Sequence, residues 1–87
     1  MTSNPQMLLP GDDMALVTGD VAERATGLKK SSRYAKGAAG SYPKPIALSP
    51  RCSRYRAGDL RRWLEDPLGW NPAMSMDAQR LALRQAH

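Results

Sequence analysis

The pattern of apolar and polar positions divides the 87-residue chain into short segments. Residues 1–14 scatter Met and Leu among Pro5, Pro10, Gly11, Asp12 and Asp13 without a sustained period, which reads as a mobile tail. From Leu16 the pattern changes. Thr18 suits an N-cap, Val21, Ala22 and Ala25 recur at helical spacing, and Asp20 and Glu23 lie in the first turns, where the helix dipole favours acids. Gly27 is expected to close that helix, and Leu28 to act as a buried hinge before a second short helix within "KKSSRYAK". This second helix is locally poor. Lys29, Lys30 and Arg33 crowd its N-terminus against the dipole, and Gly37 costs a helix interior about 1 kcal/mol relative to Ala.

Between Tyr42 and Tyr55 the period shifts toward strands. Ile46 and Leu48 alternate with small residues, "SRYR" follows "SPRC", and Ser49-Pro50 is turn chemistry, so a β-hairpin with an arginine near its tip is expected. Pro43 and Pro45 restrict the approach to an extended path that suits an edge strand. A third helix, about Gly58 to Glu65, places Leu60, Trp63 and Leu64 on one side and Arg61 and Arg62 on the other, and Pro67 stops it. After Trp70 and Pro72, Ser75 is positioned to cap a last helix carrying Asp77 in its first turn and Arg84 near its end, with a thin apolar stripe of Ala78, Leu81 and Ala82.

This order of elements is that of a winged helix-turn-helix: mainly α with a small β-hairpin and an extra C-terminal helix. The expected organisation is a tail over 1–14, a winged helix-turn-helix domain over 15–67 and an extension over 68–87 that is helical from about 76. In such a fold the second helix enters the major groove of DNA and the hairpin, or wing, reaches an adjacent groove or the backbone. Val21, Leu28, Ile46, Leu48, Tyr55, Leu60 and Trp63 are assigned to the core.

Composition limits the size of that core. The chain is 41% hydrophobic but has no Phe, so one small domain must rest on Leu, Val, Met, Trp and Tyr. Charge changes the picture more. The net charge of +5 is uneven: residues 28–62 hold ten cations against one acid, Asp59, while residues 1–27 hold four acids and only Arg24. A basic centre between near-neutral flanks is an electrostatic footprint for a polyanion. Cys52 is alone and no Cys or His cluster accompanies it, which gives no disulfide, metal or cofactor site. No apolar run is long enough to span a membrane, and the N-terminus has no basic lead of a signal peptide, so a cytoplasmic protein without membrane contact is expected. Catalysis finds no support: no His lies near a Ser or Cys, no Gly-rich phosphate loop precedes a helix, and His87 stands alone at the C-terminus.

The candidate DNA-binding residues are Lys29, Lys30, Ser31, Ser32, Arg33, Tyr34 and Lys36 on the second helix, and Arg51, Ser53 and Arg54 on the wing. The lysines suit phosphates, and Ser31, Ser32 and Arg33 occupy the leading turns where base edges come within reach, with Arg33 able to bind a guanine in bidentate fashion. Tyr34 has a ring to pack and a hydroxyl for a phosphate. Arg56 has two readings, a DNA contact or a pair with Asp59, and Arg61 and Arg62 likewise are either DNA contacts or plain solvated surface.

Residues 16 to 64 resemble the AlpA-like prophage regulators and the related excisionase-type domains with a MerR-like winged helix-turn-helix. The resemblance rests on "DVAERATGL" as first helix and turn, "KKSSRYAKGAAGSYPKP" as recognition helix and exit, and "IALSPRCSRYRAGDLRRWL" as wing and final helix. It implies a DNA-binding protein of a mobile element, either a transcriptional regulator of integration and excision genes or an excisionase, with partners that include itself on adjacent DNA sites, an integrase or RNA polymerase. Lys29 stands where the family usually carries a capping Ser, and Lys36 and Gly37 where it packs apolar side chains. These departures predict a short recognition helix that firms up on DNA. The competing expectation is a basic adaptor module that holds an acidic protein partner.

Overall fold

The structure, a computed structural model, describes residues 5–85; residues 1–4 of the expected tail, residue 86 and His87 lie outside the described residues. The first helix, α1, spans Gly19–Thr26 and is started by Thr18, whose Oγ1 accepts from the Val21 amide. Gly27, at φ 77°, closes it with a backbone bond to the Glu23 carbonyl, as the sequence predicts. A three-residue connection leads to α2, Lys30–Ala38. Its end is also left-handed: Gly40 is at φ 82°, its amide reaches the Gly37 carbonyl and the Ser41 amide reaches that of Lys36. Two adjoining helices are thus bounded by the residue type that adopts positive φ without steric cost.

The hairpin is present as β2, Ile46–Ser49, and β3, Cys52–Arg56, joined by Pro50 and Arg51. Proline fixes a negative φ, which excludes the primed turns whose twist matches a hairpin. The strands accommodate the mismatch with a register shift between Ala47 and Ser49, leaving Leu48 as the extra residue. A further strand, β1, Leu16–Val17, pairs antiparallel with β3 and makes a three-stranded sheet in the order β1-β3-β2. The sequence does not announce this strand, because two residues cannot display an alternating period. The third helix, α3, follows β3 without a break at Ala57–Glu65, and α4, Met76–Gln85, begins where Ser75 Oγ accepts from the Ala78 amide. The whole is a mostly helical winged helix-turn-helix. Among the described residues no helix is long and apolar enough to cross a membrane.

With no Phe, aromatic packing falls to one trio. Tyr42 is fully buried and meets Trp63 and Tyr55 edge-on, with ring centres 5.1 and 6.1 Å away. Its hydroxyl lies 3.1 Å from Thr26 Oγ1. Thr26 already donates its single proton to the Ala22 carbonyl, so Tyr42 is the donor between them. Burial pushes the Tyr42 hydroxyl up to about 12, which keeps it a neutral donor. Trp63 Nε1 donates to the Ser41 carbonyl and fixes the path out of α2. Leu9, Val17, Ala22, Ala25, Ala57, Leu60 and Trp70 complete the buried set, with Val21 and Leu28 packed at its edge.

Three expectations need correction. Residues 5–14 are not a free tail: Leu9 is in the core, and the Gly58 and Ala57 amides donate to the carbonyls of Asp13 and Ala15. These two amides are orphan donors at the start of α3, where the Arg56 side chain supplies no cap, so the N-terminal segment does the capping. Leu48 is not core but half exposed, because the bulge breaks the alternation that linked it to Ile46. Arg56 pairs not with Asp59 but with Asp77 at 3.4 Å, and it donates to the Met14 carbonyl. Asp59 is buried and accepts from the Met76 amide at 2.7 Å, so it holds the start of α4.

Candidate nucleic-acid interface

Helix α2 buries only Arg33 and Gly37, one turn apart, and these define its inner face. Opposite them lie Ser31, Ser32, Ala35 and Ala38, all exposed and all small. Tyr34 borders this outward face on one side and Lys36 on the other, while Lys30, exposed in the first turn, lies toward the side of Arg33 and Gly37. Lys30 Nζ stands 5.8 Å from the Tyr34 ring centre, a cation–π contact at the surface. No side chain caps the helix at Lys29, in keeping with the absence of a short polar residue there.

Two open clefts flank α2. One, of about 320 Å³, is lined by Thr18, Asp20 and Glu23 from the start of α1, Lys30, Arg33 and Tyr34 from α2, and Ser53 and Tyr55 from β3. The other, of about 310 Å³ and mostly apolar, is lined by Tyr34, Gly37, Ala38, Lys44 and Pro45. Tyr34 lines both and forms the ridge between them. The clefts bring α2, the exit at Lys44 and the β3 strand of the wing together along one stretch of surface.

Arg33 is where sequence and structure part. The sequence predicts it among the base-reading side chains, yet its side chain is only 6% exposed. Nη1 donates to the Leu28 carbonyl at 2.8 Å and lies 3.6 Å from Glu23 Oε1, while Nε reaches the Tyr55 hydroxyl at 3.4 Å. Its position on the inner face, one turn before Gly37, puts it out of reach of a duplex laid against the outer one. Lys30, Ser31, Ser32, Tyr34 and Lys36 are exposed on α2, and Lys29 is exposed at its N-cap. On the wing, Arg51 is exposed at the turn, whereas Ser53 and Arg54 are half-buried and Arg54 donates to the neighbouring Ser53 carbonyl.

The remaining cations sort by partner. Arg56 is bonded to Met14 and Asp77, Arg61 to Asp13 and the Pro10 carbonyl, and Arg62 to the Met74 carbonyl and Gln79. Arg61 and Arg62 are therefore parts of the fold rather than plain solvated surface. The side chains of Lys29, Lys30, Lys36, Lys44 and Arg51 make no hydrogen bond or ion pair among the described residues. Lys44 is a candidate that the sequence does not single out; its one signal is membership in the basic centre, and only the fold puts it beside α2. Among the described residues no group of three or more His, Cys, Asp and Glu is arranged to hold a metal ion.

No curated protein and no solved structure matches the chain. The family model of the prophage CP4-57 regulatory protein (AlpA) matches residues 18–68, from the cap of α1 through the end of α3. That span contains both clefts and every candidate residue named above, and it covers well over half of the sequence. The chain belongs to the AlpA family of prophage regulatory proteins.

Proposed function

We propose that this protein binds double-stranded DNA in a sequence-dependent way, with α2 in the major groove and the Pro50–Arg51 turn of the wing against the neighbouring backbone or minor groove. The observation that carries this reading is the sorting of the cations. Arg33 apart, the cationic side chains of α2, its exit and the wing tip make no hydrogen bond or ion pair among the described residues, whereas Arg56, Arg61 and Arg62 are taken up by the fold. An α-helix fits the major groove when its outward side chains are short enough to let the backbone approach, and Ser31, Ser32, Ala35 and Ala38 meet that condition. Lys29, Lys30, Lys36, Lys44, Arg51 and the Tyr34 hydroxyl would then contact phosphates, with Ser31 and Ser32 at base edges and Ser53 and Arg54 supporting the wing. Arg33 has no contact role in this assignment.

In a prophage regulatory protein such binding serves either control of integration and excision genes or direct assistance to excision. Selection from a random duplex pool, followed by footprinting, tests the proposal and separates its two forms. Adjacent protected repeats point to an excision factor, and one or two isolated sites to a promoter regulator. Arg51→Ala should weaken binding to every duplex with little change in base preference, because a phosphate contact carries no sequence information. A pool that shows no enrichment would overturn the proposal and favour a basic adaptor for an acidic protein.

A further inference from the structure

We propose that Arg33 is a positioning residue whose buried guanidinium locks α2 to α1 and to the base of the wing, so that the two elements offered to DNA keep one fixed relation. The inference rests on the DNA-binding reading for its purpose but on the free protein for its geometry. A surface helix ordinarily docks through an apolar stripe. Helix α2 has none: its buried residues are an arginine and a glycine, while Tyr34, Ala35 and Ala38 face outward. Apolar burial therefore cannot set its orientation. The guanidinium replaces it with hydrogen bonds to two parts of the fold and an ion pair to a third. It meets the Leu28 carbonyl in the α1–α2 connection, Glu23 on α1 and the Tyr55 hydroxyl on β3. Its carbon also stands 5.8 Å from the Tyr55 ring centre.

Tyr55 is the wing's own anchor. It is buried, pairs with Val17 in the sheet and packs edge-on against Tyr42. Arg33 therefore links α2 directly to the wing, in addition to the covalent exit that Trp63 fixes at Ser41. Lysine cannot replace it, since a single ammonium lacks the planar fork that addresses several acceptors from one position. Gly19 belongs to the same device: a Cβ there would come within 3.0 Å of Arg33 Nη2.

The test compares wild type, Arg33→Met, Arg33→Lys and Tyr55→Phe as full chains. Methionine fills the space without a buried charge and leaves Glu23 half exposed, so Arg33→Met is expected to fold. Its α2 amides should exchange about tenfold faster or more, with the α3 amides much less affected; Arg33→Lys should not restore protection, and Tyr55→Phe should show a smaller effect in the same place. On duplexes enriched from a random pool by wild type, Arg33→Met should lose preference over an unselected duplex while its salt slope stays that of wild type, because no phosphate contact is removed. A slope lower by about 0.9, with α2 exchange unchanged, would make Arg33 a DNA contact and overturn the proposal. Unchanged α2 exchange in Tyr55→Phe and in a folded Arg33→Met would overturn it whatever the DNA result. If Arg33→Met does not fold, Tyr55→Phe decides by exchange alone. Should wild type enrich no duplex, the functional reading fails, and exchange still judges the role of Arg33.

Discussion

The cations along the wing-and-α2 side and those along the α3 side are the same residue types in the same basic stretch, yet they do different things. Arg56, Arg61 and Arg62 lie on or beside a helix that must receive two chain segments from elsewhere, residues 10–15 and residues 74–79, and each finds carbonyls or carboxylates there. The side chains of Lys29, Lys30, Lys36 and Arg51, on α2, its N-cap and the wing turn, make no hydrogen bond or ion pair among the described residues. The difference is one of available acceptors, not of charge. It teaches that a basic run in a small protein has to be divided by what the fold brings within reach before any of it is assigned to a polyanion. Arg33 is the instructive exception, an α2 cation that the fold has turned inward.

The contrast can be broken by changes on either side. Arg56→Ala should have the largest effect on stability: it abandons the Met14 carbonyl and Asp77 in a partly buried setting, at about 1–3 kcal/mol in urea unfolding. A loss well below that range would mean that the α3 arginines are surface after all. Gly37→Ala sharpens the view of α2 as a weakly supported helix. The added Cβ would stand 3.6 Å from Lys44 Cγ and 3.8 Å from the Pro43 and Tyr42 carbonyls, ordinary contacts, so the gain in helix propensity should raise stability by about 0.4–1 kcal/mol. Destabilisation would instead show that the exit needs glycine at this crossing.

The smallest effect concerns Asp59. Burial raises its carboxyl above the ordinary value against the opposing bond from the Met76 amide; Asp77 adds to the rise, and Arg56 and Arg62 oppose it. The folded chain thus holds this proton more tightly than the unfolded one. Its contribution is full below the ordinary carboxylate range and declines as pH rises through the raised value. Asp59→Asn removes that decline while keeping an acceptor for Met76. The melting temperature of the variant relative to wild type should therefore be higher at pH 7 than at pH 4. No such change with pH would mean that the arginines compensate the burial.

Much of the fold is legible in the sequence because local rules govern it. Thr18, Gly27 and Ser75 mark helix ends by chemistry that acts within four residues, and the Ser49-Pro50 turn is plain for the same reason. What escapes is set by distant segments. β1 exists only because β3 offers it a partner, and residues 9–15 are ordered by the orphan amides of α3. Tyr42, the centre of the aromatic core, stands between Ser41 and Pro43 with no period to announce it. The bulge that exposes Leu48 follows from a proline at the turn, a local cue whose consequence appears two residues earlier. In the candidate site, the exposed positions of α2 are readable from helical spacing. Arg33 is not, because charge argues for the surface, and only the combined acceptors of Leu28, Glu23 and Tyr55 make its burial tolerable.

The most direct test of the division between the two sides is the salt dependence of duplex binding for a variant with Lys30→Gln, Lys36→Gln and Arg51→Gln together. The slope of log affinity against log salt should fall by about 0.9 for each phosphate that these side chains no longer neutralise, with folding intact. A slope equal to that of wild type would place the duplex on another face and contradict the account.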